Sequence, residues 1–383
     1  MIHAHPALTD EHEALRETMR RFVTREIAPH AAAWDEAGEF PRELYKKAAA
    51  AGLLGIGFPE EYGGSPADLF THVILAEEIA LAGVGGVHAG LFSHQIGAPP
   101  IATAASPDLK SRVLPPVLAG EKISALAITE PGGGSDVANL VTGARRDGGD
   151  YVVNGEKTFI TSGMRADFYT VAVRTGAPGA SGVSLLLIER EREGFTRAPL
   201  NKMGWWCSDT ATLHFDNVRV PAGNLIGEEN AGFRIIMRNF NAERLGMAAA
   251  AVGFAQACLD EAVAWAQERK TFGRRLLDHQ AIRHKLVEMA TRLAAARALV
   301  YDTAWRLEQA PRDPLFIAQL AMAKNLAARV MQFCAGEAVQ TLGGAGFMRG
   351  TRSERIYREA KVFAIGGGAE EIMKDLAAKQ LGW

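Results

Sequence analysis

Residues 125–136 read ALAITEPGGGSD, an apolar strand-like run that passes through Thr129, Glu130 and Pro131 into Gly132, Gly133 and Gly134, then Ser135 and Asp136. The chain has different characters on its two sides. Upstream, Leu15, Met19, Phe22, Val23 and Ile27 recur at three- and four-residue steps, which predicts an amphipathic helix from Asp10 to about Trp34. Further helices are expected over 41–51, closed by Gly52, over 68–81 and over 108–119, with FPEEYGG at 58–64 as turn material. Downstream, β-branched and aromatic runs (YVVNG, TFITS, FYTVAV, VSLLLIE, ATLHFDNVRV) are separated by Gly, Asp and Pro, and Asn154-Gly155 predicts a tight turn. Past Asn230 the helical period returns over 231–269, 278–309, 313–341 and 369–380, segments whose length and Ala/Leu content suit a bundle. The expected fold is α+β: an N-terminal helical domain (1–122), a central antiparallel β-domain (123–230) and a C-terminal four-helix-bundle-like domain (231–383).

Composition narrows the function classes. A chain of 383 residues exceeds what one hydrophobic core serves. With 48% apolar residues, 22% charged residues and a net charge of −2, it reads as a soluble globular protein without the basic excess that nucleic acid or an anionic membrane would require. Cys207, Cys258 and Cys334 are widely spaced, with neither CxxC nor a nearby His pair, so no disulfide framework and no metal site are expected. The opening MIHAHPALTDEHEALRETMRRF lacks an apolar core and carries Asp10, Glu11 and Glu13, which argues against a signal or transit peptide and makes a cytoplasmic location the expectation. The uncharged run 79–107 holds His88, His94, Gln95 and Pro99-Pro100 and is read as buried helix and loop, not as a membrane span.

The glycine-rich loop leaves backbone N–H groups able to approach an anion or a ring edge. Alone it fits an ordinary β-turn equally well; it lacks GKS/T, and no GxGxxG follows a strand. Set beside FITSG (159–163), ERKTFGRRLLDHQ (268–280) and QTLGGAGF (340–347), it resembles the acyl-CoA dehydrogenase family, with the motifs in the family's order over nearly the whole chain. That resemblance implies an FAD enzyme that oxidises an acyl-CoA thioester between its α and β carbons to the trans-2-enoyl product. It also implies electron-transfer flavoprotein as the acceptor and a homo-oligomer, a dimer of dimers. The reaction demands a base for the α proton, hydrogen bonds to the thioester oxygen, and flavin N5 facing the β hydrogen.

By the same resemblance Leu126, Ala127, Ile128, Thr129, Gly134 and Ser135 would lie along FAD, Thr129 at the ring and Ser135 also near the acyl-CoA. Phe159, Ile160 and Thr161 would form the second flavin-contact strand, with the Thr161 hydroxyl toward N5 and Phe159 where the family usually has Trp. An ordinary strand end is the competing reading of FITSG. Arg269, Thr271 and Phe272 would meet the FAD of a neighbouring subunit, Arg269 facing the pyrophosphate, while Gln280, Gln340, Thr341, Gly343 and Gly344 would complete that site. The alternative for RKTFGRR is a solvated basic helix end. Ala369 and Glu371 would lie at the cofactor edge.

Counting without gaps from Gln340, the position that carries the catalytic Glu in many family members is Gly367. Glycine cannot accept a proton, but its N–H is expected to help bind the thioester oxygen alongside a ribityl hydroxyl. Branches resembling isovaleryl-CoA and long-chain acyl-CoA dehydrogenases place the base on a bundle helix directly before an Arg, a pattern matched here by Glu243-Arg244 in NFNAERLGM. Glu243 is therefore the expected base, desolvated by Phe240, Ala242, Leu245 and Met247, with Asn241, Arg244 and Gly366 on the substrate side. The competing reading is a Glu that merely pairs with Arg244 on a helix. Glu370 and Glu371 are read as first-turn acids complementing a helix dipole. Gly366 and Gly367 are expected to widen the pocket toward branched, medium or long acyl chains. An acyl-carrier-protein thioester, a non-dehydrogenating acyl-binding flavoprotein and a nitroalkane-oxidase-like activity are the alternatives.

Overall fold

In the computed structural model, residues 5–383 are described, and residues 1–4 of the N-terminal reading lie outside them. Thr9 caps the first helix, α1 (Asp10–Phe22). The expected continuation to Trp34 is irregular: the backbone widens over Val23–Ile27, tightens over Ala28–His30 and returns to α-helix over Ala31–Ala37. Pro29 has no N–H for the preceding turn, so the ladder rearranges there. The helices α2 (Glu43–Ala50), α3 (Leu69–Ala80) and α4 (Pro107–Leu118) follow the apolar periodicity. Asp68 caps α3 by accepting the Thr71 N–H at 2.8 Å. α3 is apolar nearly all round and correspondingly buried, and its two acids are paired. Glu78 binds Arg16 and Arg20 of α1, whereas Glu77 binds Arg297 and the Tyr301 hydroxyl in the C-terminal bundle. The run 79–107 forms the short helices Gly85–Leu91, His94–Gly97 and Pro99–Ala104.

The central domain is a seven-stranded sheet of β1 (Ser124–Ala127), β2 (Gly143–Asp147), β3 (Asp150–Thr161), β4 (Phe168–Arg174), β5 (Val183–Glu189), β6 (Phe195–Pro199) and β7 (Thr210–Pro221). Its order is β1-β4-β2-β3-β7-β6, with β5 also on β4. Pairing is antiparallel except for β1 with β4 and one parallel contact of β2 with β4. The tight turn expected at Asn154-Gly155 is not there: both residues lie inside β3, and the β2–β3 reversal falls at Gly148-Gly149. Gly155 marks a bulge opposite β7, where an added Cβ would come within 2.7 Å of the Thr142 backbone.

The C-terminal domain is built on α5 (Gly232–Glu268), α6 (Gln280–Gln309) and α7 (Pro314–Leu342), followed by α8 (Arg352–Glu359) and α9 (Glu370–Leu381). Among the described residues α5 alone is long and apolar enough to cross a membrane, and most of that apolar stretch is buried inside the fold, where α5 packs against α3, α6 and α7. RKTFGRR is not a helix end. It is a hairpin of β8 (Lys270–Thr271) and β9 (Arg274–Arg275), turned by Phe272 at φ 52° and Gly273 at φ 78°. α8 has no counterpart among the expected helices, because RSERIYRE is dominated by charge and shows no apolar stripe in sequence.

Candidate active site

Glu243 and Arg244 lie near the N-terminal end of α5, facing the turn between α8 and α9. The Arg244 Nε donates to the Gly367 carbonyl at 3.1 Å, and another of its guanidinium nitrogens donates to Asn241 Oδ1 at 3.2 Å. Gly367 at φ 64° and Gly368 at φ 107° adopt backbone conformations that side chains resist, so glycine is what lets the chain turn here. A Cβ built on Gly367 would stand 3.9 Å from Glu243 Oε1, so the structure brings Glu243 beside the glycine, as the sequence motifs imply. Glu243 is half-buried, and its Oε2 is buried without a hydrogen-bond partner. Burial pushes its carboxyl up to about 7, against the opposing pull of Arg244 and Lys324. Among the described residues, no backbone carbonyl accepts from the Gly367 N–H.

Gly366 and Gly367 do not widen the pocket as expected. The Cβ on Gly367 would also lie 2.5 Å from Met247 Sδ, and one on Gly366 would lie 3.6 Å from Met247 Cε. The room left by the two glycines is therefore filled by the Met247 thioether, one turn beyond Glu243 on the same face of α5, and is not open pocket.

A residue that sequence reasoning missed completes the cluster. Lys324 on α7 is 1% exposed, and its Nζ donates to the Gly368 carbonyl at 2.7 Å. The next residue, Asn325, donates to the Glu370 carbonyl at 2.9 Å, and one turn on Arg329 pairs with the Glu370 carboxylate. Hydrogen bonds from Arg329 and Lys374 hold Glu370 down to about 2, which leaves it an ionised anchor for α9. Glu371 is exposed and Ala369 half-buried. In sequence, AMAKNLAARV reads as a helix with one ordinary lysine, and nothing there signals that its ammonium is buried.

The other predicted residues fall into two groups. Leu126 and Ala127 are on β1, Ile128 is buried just beyond it, and the Thr129 carbonyl accepts the Thr158 N–H at 2.8 Å. Gly134 and Ser135 are exposed on the loop that follows. A buried ion pair, also unforeseen, ties this loop to β3: Lys157 Nζ lies 2.8 Å from Glu130 Oε1 and 3.0 Å from the Ile128 carbonyl. The Glu130 carboxylate also accepts the N–H groups of Val141 and Thr142 at 2.7 and 2.8 Å. A shift of register between Lys157 and Ile160 turns Lys157 inward and leaves Phe159, at φ 60°, 70% exposed. Ile160 is buried and Thr161 half-buried. The second group lies on the hairpin and the α7 terminus: Arg269, Phe272, Gln280, Gln340, Gly343 and Gly344 are exposed. The Thr271 hydroxyl meets His279 Nε2 at 3.2 Å, whereas Thr341 is buried, its hydroxyl donating to the Glu337 carbonyl.

This surface fits a flavin. A flat aromatic system needs an apolar face and polar groups at its edge, and the bare ring of Phe159 stands beyond Thr158, whose N–H joins β3 to Thr129 at the head of the glycine loop. Gly132 and Gly133 have nothing within 4 Å of an added Cβ, so their backbone is open to a ligand. Among the described residues no group of His, Cys, Asp or Glu is arranged to hold a metal. A surface cleft lined by Lys46, Glu61, Tyr62, Pro115 and Leu118 includes none of the Glu243 cluster.

Comparison with known proteins places these features in one family. The models of the acyl-CoA dehydrogenase N-terminal, middle and C-terminal domains match residues 9–121, 125–218 and 230–382. The chain is 39% identical over 381 residues to the mitochondrial long-chain specific acyl-CoA dehydrogenase of Sus scrofa, covering 97% of this chain and 87% of the relative. It is 37% identical to the 3-(aryl)acrylate reductase of Clostridium sporogenes, covering 97% and 99%. The structure of a probable acyl-CoA dehydrogenase from Mycobacterium abscessus superposes with a TM-score of 0.95 at 51% identity, covering 98% of this chain and 99% of that one.

Proposed function

The chain belongs to the acyl-CoA dehydrogenase family of flavin-dependent oxidoreductases, and from that premise we propose that it dehydrogenates an acyl-CoA thioester with Glu243 as the base. One observation carries the assignment: the buried, unpartnered Glu243 carboxyl lies beside Gly367. Ionised Glu243 takes the α proton, and a carboxyl whose burial raises its pKa to about 7 combines basicity with partial ionisation near neutral pH. The Gly367 N–H, with no carbonyl partner of its own, donates to the thioester oxygen and so acidifies the α carbon. Arg244 holds the Gly367 carbonyl, in the peptide unit that follows, and so fixes the turn that presents the Gly367 N–H. Bound FAD supplies the acceptor for the β hydride. Residues 126–129, 134–135 and 159–161 hold its ring region; Arg269, Thr271, Phe272, Gln280, Gln340, Thr341, Gly343 and Gly344 serve the FAD of a second copy, and Ala369 and Glu371 its edge.

Ser135, Asn241, Arg244, Gly366 and Gly367 border the acyl thioester in this reading. A branched, medium or long acyl chain remains the proposed substrate. Its accommodation falls to Met247, an unbranched thioether that can be displaced by rotation. Electron-transfer flavoprotein is the proposed acceptor, a homo-oligomer the proposed assembly and the cytoplasm the proposed location, with domains at 1–122, 123–230 and 231–383. The test is anaerobic mixing of the purified flavoprotein with straight, branched and long acyl-CoA thioesters and one acyl-carrier-protein thioester, following loss of flavin absorbance. Wild type is expected to bleach fastest with a branched or long acyl-CoA, and Glu243→Gln to lose at least ~10²-fold in rate and to stop exchanging the α proton. Undiminished exchange in the variant removes Glu243 from the mechanism.

A further inference from the structure

Two buried cations pull on consecutive carbonyls of the glycine turn. Arg244 on α5 takes the Gly367 oxygen and Lys324 on α7 takes the Gly368 oxygen, at 3.1 and 2.7 Å. Lys324 has no carboxylate in hydrogen-bond contact: the Gly368 carbonyl is its one acceptor among the described residues. A lysine ammonium at 1% exposure without an ion-paired partner is expensive and needs a compensating interaction. The charged groups facing it are Arg244 and Glu243 from α5 and Glu370 at the start of α9; those facing Glu243 are Arg244 and Lys324. Glu370 is engaged by Arg329 and Lys374, so Glu243 is the facing carboxyl whose charge is not already paired.

We infer that Lys324 is a positioning residue for the proposed dehydrogenation: its ammonium fixes the Gly366–Gly368 turn through the Gly368 carbonyl and is the electrostatic counterweight that lets buried Glu243 ionise. The inference rests on Glu243 being the base. Burial lowers Lys324 itself to about 8, above the value of about 7 for Glu243, so the ammonium is present where the carboxyl begins to ionise. Removing its charge takes away an attraction for the carboxylate and moves the Glu243 midpoint upward.

The experiment measures the pH dependence of α-proton exchange and of flavin reduction in the holoenzyme for wild type, Lys324→Met and Lys324→Arg, with flavin content and thermal midpoint in parallel. The methionine variant keeps the chain length and loses the charge. It is expected to shift the acidic limb to higher pH by about one unit, with the rate recovering at high pH, while Lys324→Arg leaves the limb near its wild-type position. An unchanged limb in Lys324→Met, with activity reduced equally at all pH values, overturns the inference and marks Lys324 as structural only. If Lys324→Met does not fold, Lys324→Arg decides: a limb more than half a unit from wild type sinks the proposal, and a retained limb supports it. Failure of the base assignment is distinct, since it appears as an active Glu243→Gln whatever Lys324 does.

Discussion

A carboxyl buried so that it binds its proton firmly weakens the fold whenever it is ionised. Glu243 titrates near 7 in the folded chain against an ordinary value of 4.5, so between these values the folded state binds more protons than the unfolded one. Stability therefore falls as pH rises through that window, and above it the full cost is present, about 3 kcal/mol at most and less for a half-buried group. Glu243→Gln is accordingly expected to unfold at higher urea than wild type at pH 8, with the advantage fading toward pH 4.5. A gain that does not depend on pH would contradict the burial account. The glycine beside it is as constrained as the acid. Gly367 combines a positive φ with Met247 Sδ in the space of a Cβ, so an acid there requires both strain and movement of Met247. At this scale Glu243 was legible from the ER pair and its place in the motif order, whereas Lys324 was not, because a single lysine in an alanine-rich helix carries no sign of which way it faces.

Elements hold the site through a few pairs between segments. Lys157 and Glu130 join β3 to the glycine loop, with the lysine fully buried and lowered to about 8 because desolvation outweighs the pull of Glu130. Glu130 is lowered in turn, Lys157 and the backbone N–H groups overcoming its own burial. Lys157→Met leaves Glu130 buried with only the Val141 and Thr142 N–H groups, and losing one partner of such a pair costs roughly 3–5 kcal/mol. The expected outcome is faster loss of flavin on dialysis, read by absorbance, accompanied by a lower thermal midpoint; flavin held as tightly as in wild type would rule out the loop-positioning role. The long helices were predictable to within a residue or two because their period repeats over many turns. The β3 bulge at Asn154-Gly155, the β8–β9 hairpin and α8 were not, since each depends on what the segment packs against.

At the scale of the whole molecule the chain displays apolar side chains that a lone copy leaves wet. Phe272 is 98% exposed at the tip of the hairpin, and Phe347, just beyond the QTLGGAG turn, is 85% exposed. Phe272 lies in, and Phe347 just beyond, the segments proposed to serve a second copy's flavin, so Phe272→Ser is expected to shift the sedimenting species toward smaller assemblies and to release flavin on dilution; unchanged assembly and flavin content would separate the hairpin from the interface. The sequence by itself determined the helical, β, helical order and the family, and it singled out the Glu243 proposed as base, because these depend on period and on local motifs. Only the tertiary structure decided that Met247 fills the space beside Gly367, that Lys324 and Arg244 grip the turn, and that Glu130 and Lys157 join the glycine loop to β3. Each of those facts is a meeting of side chains from separate elements, and the burial and charge that result belong to the packed arrangement, not to any one segment.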